Sequence, residues 1–212
     1  MKGLLNKEFR LVIHPLFYLL LLCGALLMIP QWPYLIALMY IFFIAVPNIF
    51  TNSKAQNDVG FSVLLPVRRK DIVKARVMSI AALELMQIVV AAVFGAINLA
   101  IYPWGNFLME PNPAFFGFAF VMYGVFNVVF FPMFYKTAYK MGIPLIVAIT
   151  AAVVFAVAAE MLVLQIPALR VLDGRTFNGA QFAALAGGAA AFVLLSAAAY
   201  RMSAKRFVHI DL

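Results

Sequence analysis

Acidic side chains are scarce in this 212-residue chain. Eight Asp and Glu stand against sixteen Lys and Arg, and charged residues make up 11% of the whole. Soluble domains carry about 25% charged residues. Twenty-four charges cannot clothe a soluble fold when 66% of the chain is hydrophobic. The same hydrophobicity excludes intrinsic disorder. Cysteine is nearly absent: Cys23 stands alone, which excludes a disulfide scaffold. The two histidines, His14 and His209, lie at opposite ends, so the sequence offers neither a metal cluster nor a serine–histidine pair for intramembrane proteolysis. No GxxxxGK[ST] phosphate loop is present. Gly187-Gly188 sits among alanines inside an apolar run and cannot cradle phosphate.

What is abundant is apolar sequence in long runs. Measured against the roughly 20 residues a spanning helix needs, six segments qualify. They are Leu16–Met28 with a Phe9–Ile13 lead-in, Tyr34–Phe50, Val77–Tyr102, Ala114–Tyr135, Ile143–Leu164 and Ala180–Tyr200. Between the first two, Ile29-Pro30-Gln31-Trp32-Pro33 and Tyr34 read as a hairpin tip, with aromatic rings at interfacial depth. The net charge of +8 does not point to nucleic acid, because the bases fall between apolar runs rather than on one face of a globular domain. Lys2, Lys7 and Arg10 precede the first span. Lys54, Arg68, Arg69, Lys70, Lys74 and Arg76 follow the second, Lys136 and Lys140 the fourth, and Arg201, Lys205 and Arg206 the sixth. Only Arg170 and Arg175 lie on the other side. The positive-inside rule then places both termini and the 51–76 connection in the cytoplasm. The expectation is an all-α integral membrane protein of the bacterial cytoplasmic membrane, a single six-helix domain over 1–212.

The start of the chain does not read as a cleaved leader, because the first apolar run enters Pro30-Gln31-Trp32-Pro33 without a small-x-small site. A lipoprotein site at Cys23 would need a small residue before it, and Leu22 is there. Within 1–13, Leu5, Phe9 and Val12 fall on one helical face, while Lys2, Asn6, Lys7 and Arg10 fall elsewhere. This predicts an interfacial amphipathic helix with its bases near anionic lipid headgroups, ended by Pro15. The alternative is a frayed extension of the first span.

The connection over 51–76 is the most informative segment. Helical bundles need only short connections, yet this one spends about 26 residues and is patterned. Phe61, Leu64 and Leu65 share a helical face set against Lys54, Gln56, Asn57 and Asp58. Pro66 ends that helix, Arg68-Arg69-Lys70 makes a basic turn, and Asp71 is placed to cap the next helix. A solvated basic anchor that only fixes topology would account for the charges but not for the apolar face.

The run Phe61-Ser-Val-Leu-Leu-Pro-Val-Arg-Arg-Lys-Asp-Ile-Val73, followed by Lys74 and a span, resembles the "LPVsRkdIV" stretch of type-2 ABC transporter permeases. It is closest to their small branch, which includes the permeases of phenol-soluble-modulin exporters. Met1-Lys-Gly-Leu-Leu-Asn-Lys-Glu resembles the start of that branch, and Arg68-Arg69 stands where the family often has a small residue between two bases. The resemblance implies a coupling helix that docks into a separate ATP-hydrolysing subunit. It assigns that role to Asp58, Phe61, Leu64 and Leu65, flanked by Arg68, Arg69, Lys70 and Asp71. It also implies two ATPase copies holding the ATP and magnesium, a second permease that completes a homodimer, and export of amphipathic or hydrophobic cargo such as peptides. This chain itself would hold no cofactor and catalyse nothing. Two other readings remain. One is the substrate-binding membrane subunit of a vitamin-type importer, which would want small residues where Leu16–Leu22 is bulky. The other is a non-transport scaffold or immunity protein, which leaves the apolar face of 61–65 unexplained.

Polar residues inside the spans are the candidates for a translocation path. Glu84, Gln87, Ala91, Gly95 and Asn98 step along one face of the third span. Glu84, Gln87 and Asn98 line either a hydrated, cargo-facing surface or an interhelical hydrogen-bond seam. Small-residue series Ala148/Ala152/Ala156 and Ala183/Gly187/Ala191 predict that spans five and six pack together or against another copy. Span four, rich in phenylalanine, reads as too bulky for close packing, its rings facing lipid or a greasy pathway.

Overall fold

A computed structural model describes residues 2–13, 15–64, 66–137 and 140–208, and among them there are helices and no strands. Five helices are long and apolar enough to cross a bilayer. His14, Leu65 and His209 lie outside the described residues.

The chain opens with α1 (Lys2–Lys7), which widens into a π-helical turn over Glu8–Val12. The Ile13 amide closes it on the Glu8 carbonyl at 2.9 Å. Glu8, Val12 and Ile13 are buried, so this segment packs on the bundle. Lys7, expected among headgroups, turns inward instead. The segment read as the first span is α2 (Leu16–Leu20) continued by a 3₁₀ helix, Leu21–Met28. At three residues per turn, Gly24 and Leu27 stack on one face, and both are buried. An added Cβ at Gly24 would stand 2.9 Å from the Ala91 nitrogen, so only glycine permits this approach. With 1.5 Å per α-helical and 2.0 Å per 3₁₀ residue, α2 and its continuation cover about 24 Å.

Gln31, at φ 56°, turns the chain back into α3 (Tyr34–Ala55). A π-helical stretch, Ile41–Ala45, precedes Pro47, which has no N–H for the Phe43 carbonyl. The helix runs five residues past the predicted end at Phe50. After a left-handed Asn57 (φ 48°) comes α4 (Asp58–Leu64), then α5 (Arg69–Ile101). At 33 residues α5 is about 50 Å long. The 51–76 connection is therefore mostly helix: the end of α3, all of α4 and the first two turns of α5. Asp71 does not cap α5. The cap position is Arg68, with no side-chain hydrogen bond, and Asp71 lies in the first turn, where its charge favours the helix dipole.

At the centre is α6 (Pro113–Phe134), and the expectation for its phenylalanines is overturned: most are buried inside the chain. Phe42 of α3 stacks on Phe126 at 3.9 Å, and Phe50 meets Phe130 and Phe134 edge-on at 5.0 and 4.6 Å. Close approach occurs on the same helix, because Gly117 and Gly124 open its other side to α8 (Gly179–Phe207). A Cβ on Gly188 would overlap the Gly117 carbonyl. Helix α7 (Gly142–Gln165) also packs on α6, burying Ala148, Ala152 and Ala156. So α7 and α8 both take α6 as their main packing partner rather than each other. In α8 the buried small residues are Gly188, Ala199, Ser203 and Ala204, whereas Ala183 and Gly187 are exposed.

Candidate functional site

The end of the bundle that carries α4 is rich in bases, and its buried charges are organised. Arg76, on the second turn of α5, is 4% exposed. A guanidinium removed from water must be paired and hydrogen-bonded. Its Nε lies 2.6 Å from Oε2 of Glu8, and its Nη2 donates to Oδ2 of Asp58 at 2.7 Å. The same nitrogen reaches Ser53 Oγ at 3.3 Å, and the guanidinium sits 5.3 Å from the Phe50 ring centroid. Asp58, the first residue of α4, is held from both sides. Its Oδ1 accepts from Lys7 Nζ at 2.7 Å, and its Oδ2 accepts from Arg76 and, at 3.2 Å, from Ser53. Lys7 also donates to Ser62 Oγ, one helical turn further along α4, at 2.8 Å. Burial works to raise the Asp58 carboxyl, but the Lys7 hydrogen bond and the Arg76 and Lys7 charges outweigh it and hold the group below its ordinary range.

Two acids and two bases thus close a formally neutral joint linking α1, the end of α3, α4 and α5. Separating its members would leave a buried charge unpaired, which ties α4 to α1 and α5. Sequence reasoning singled out Asp58, as a coupling residue implied by the resemblance, but not its partners. It missed Lys7, Glu8, Ser53, Ser62 and Arg76. A signal existed: Glu8 and Asp58 are two of only eight acids, and Glu8 lies between Lys7 and Arg10.

While Asp58 turns inward, the opposite side of α4 is apolar and open. Phe61 is 59% exposed and Leu64 85%. Leu65, the third residue of that predicted face, lies outside the described residues. Arg68 and Lys70 are exposed beside the helix, Asp71 is half-buried, and Arg69 donates to the Val208 carbonyl at 3.2 Å.

The polar stripe on α5 points into the chain. Glu84 accepts from Asn127 of α6 at 2.7 Å, and Asn127 also reaches Ser196 of α8 at 3.3 Å. Asn98 donates to the Leu27 carbonyl at 2.8 Å and to the Tyr34 hydroxyl at 3.1 Å. Gln87 is buried between them, Ala91 faces Gly24, and Gly95 faces Pro111 and Phe116.

At the other end, polar loops fold over the helix termini. Asn112 caps α6 by accepting from the Phe115 amide at 3.0 Å, and it donates to the Leu172 and Gly174 carbonyls. The Glu110 amide donates to Asp173 at 2.9 Å, and Arg175 lies 3.9 Å from Glu110 while donating to the Leu99 and Tyr102 carbonyls. Burial pushes both the Glu110 and Asp173 carboxyls up, only partly opposed by the hydrogen bonds and charge around them.

A family model described as ABC-2 family transporter protein matches residues 3–207, nearly the whole chain. The chain belongs to the ABC-2 transporter family. Neither curated proteins nor solved structures yield a match. As an ABC-2 protein the chain is the membrane subunit of an ABC transporter, a multi-pass protein of the bacterial cytoplasmic membrane. ABC-2 permeases work with an ABC ATPase, which agrees with the absence of a phosphate loop from this sequence.

Proposed function

We propose that this chain is one half of an ATP-driven exporter and that α4 is the helix on which its ATPase acts. The observation that carries the reading is the two-faced character of α4. Phe61 and Leu64 lie bare on one side, while Asp58 and Ser62 are locked to α1 and α5 on the other. An apolar pair open to water, flanked by Arg68, Arg69 and Lys70, suits a groove on a partner subunit. The charged joint behind it converts a push on α4 into a displacement of α5 as a rod. The whole assembly holds two copies of the permease and two of the ATPase, which bind the ATP and magnesium. Both termini and α4 lie in the cytoplasm by the distribution of bases. Segment α2 completes six crossings, its 3₁₀ extension bringing a short run close to the roughly 30 Å hydrocarbon thickness. The motif over 61–73 supports the small branch that resembles phenol-soluble-modulin exporters, and with it an amphipathic cargo.

The test is co-purification of the tagged chain from its native membranes in mild detergent, followed by vanadate-sensitive ATPase assay of what accompanies it. A near-stoichiometric ATPase that is lost with Phe61→Asp or Leu64→Asp is the expected result. Retention of the ATPase and of transport in both variants, with Arg68 and Arg69 also reversed in charge, overturns the reading.

A further inference from the structure

A groove of about 410 Å³ lies between the first turns of α3 and the last turns of α7, at the end of the bundle away from α4. It is within the range of small-ligand sites. Leu35, Met39 and Phe43 line one side, Val153 and Ala156 the other, and Phe107 from the α5–α6 loop covers the top. Among these apolar side chains stands one acid, Glu160, which is 7% exposed. Its Oε1 has no hydrogen-bond partner among the described residues. Ala156, one helical turn before it, contributes only a methyl group, and that leaves space beneath the carboxylate.

The bases of this end do not serve Glu160. Arg170 donates to the Leu164 carbonyl at 3.3 Å, and Arg175 is engaged by Glu110 and by the last carbonyls of α5. Every other lysine and arginine lies outside the segments that build this end. A carboxylate so placed calls for a cation that the chain does not supply. Glu160 lies about 8 Å from the end of α7, and Phe43 about 14 Å down α3 from Tyr34. A charged head at Glu160 would therefore sit near interfacial depth with its tail running toward the bilayer centre.

We propose that this groove binds a single-chain amphiphile with a positively charged head, Glu160 taking the head and the α3–α7 walls the tail. As a cargo site it rests on the exporter reading above, whereas as a binding site it does not. The chemistry selects cationic over neutral or anionic amphiphiles of equal tail length.

The experiment measures equilibrium binding of tritiated dodecyltrimethylammonium, dodecanol and dodecanoate to the purified full chain in a fixed maltoside detergent. The headgroup charge of the first is permanent, so its own titration does not enter. The expected result is a preference for the cation of about tenfold or more, abolished by Glu160→Gln with dodecanol binding unchanged. Val157→Trp, at an exposed position lining the groove, fills it and removes binding of all three. Equal affinity of the native chain for the three amphiphiles overturns the proposal, whether or not the Gln variant folds. So does cation binding that survives Glu160→Gln or Val157→Trp in a folded variant. No ATPase is present, so failure here leaves the docking role of α4 standing, and loss of the ATPase with Phe61→Asp leaves this binding intact.

Discussion

The two ends of the bundle treat buried charge in opposite ways. At the α4 end, Lys7, Glu8, Asp58 and Arg76 meet within hydrogen-bonding or ion-pair distance and balance to zero. At the other end Glu110, Asp173 and Glu160 outnumber the arginine beside them, and Glu160 has no cation beside it among the described residues. A balanced, buried cluster resists separation, so it suits a place where force must pass between helices. An unbalanced one lacks a counter-charge, so it suits a place where something charged arrives. Acids thus act as fasteners at one end, Glu8 and Asp58, while at the other Glu160 is left without a counter-charge among the described residues.

The largest test of this contrast is removal of the central cation. Arg76→Met leaves Glu8 and Asp58 buried without it, and loss of one partner from a buried ion pair costs about 3–5 kcal/mol. The melting temperature in detergent should fall steeply and coupled ATPase stimulation should vanish. Glu160→Gln at the far end, by contrast, should leave the melting temperature level or raised. A middle-sized effect is expected from Asn112→Ala, which removes the α6 cap and two bonds to the 172–174 loop. Cap losses run to about 0.5–2 kcal/mol, and hydrogen exchange should rise over residues 110–115 and 172–174 while α4 is unaffected.

The smallest effect is one of pH, and its sign differs between the ends. The Asp58 carboxyl is held below its ordinary value of 3.8, so its contribution is full above that value and is lost as pH falls through the lower folded value. Glu110 lies above its ordinary 4.5, so ionisation opposes folding at neutral pH, and that opposition is relieved as pH falls toward 4.5. Hydrogen exchange followed from pH 7 downward should show the 106–112 loop tightening first and α4 loosening only below pH 3.8. Loosening of α4 at pH 5 would break the comparison.

Much of the bundle was legible because the bilayer imposes a length. Five of the six apolar runs became long helices, differing mainly in where they end, and α5 starts eight residues further into the basic segment, at Arg69, than its apolar limit at Val77. The exception, 16–28, is a short run between Pro15 and Pro30, and its 3₁₀ winding, which lengthens it and buries Gly24 and Leu27 on one face, is something no apolar count reveals. The helix at 58–64 was legible from Phe61 and Leu64 with Pro66 behind them. The joint behind it was not, because Lys7 and Arg76 are far apart in the chain and periodicity speaks only of one helix at a time. Small residues misled for a related reason. Ala148, Ala152 and Ala156 announce a close neighbour without naming it, and the neighbour was the phenylalanine-rich α6. There Gly117 and Gly124, hidden among bulky residues, were the signal for α8.

The central place of α6 bears on how the protein comes into being. Tyr123 donates to the Leu38 carbonyl 85 residues earlier, and Phe42 and Phe50 rest on rings made still later, Phe126 to Phe134. As the chain leaves the ribosome, α3 enters the membrane long before those partners exist, and its aromatic face meets lipid in the meantime. The aromatic packing of α3 must therefore wait until residue 134 has been synthesised, whereas the charged joint and the Gly24–Ala91 approach lie wholly within the first 101 residues. The arrival of α6 lets the earlier helices settle around it and the later ones add to its remaining sides.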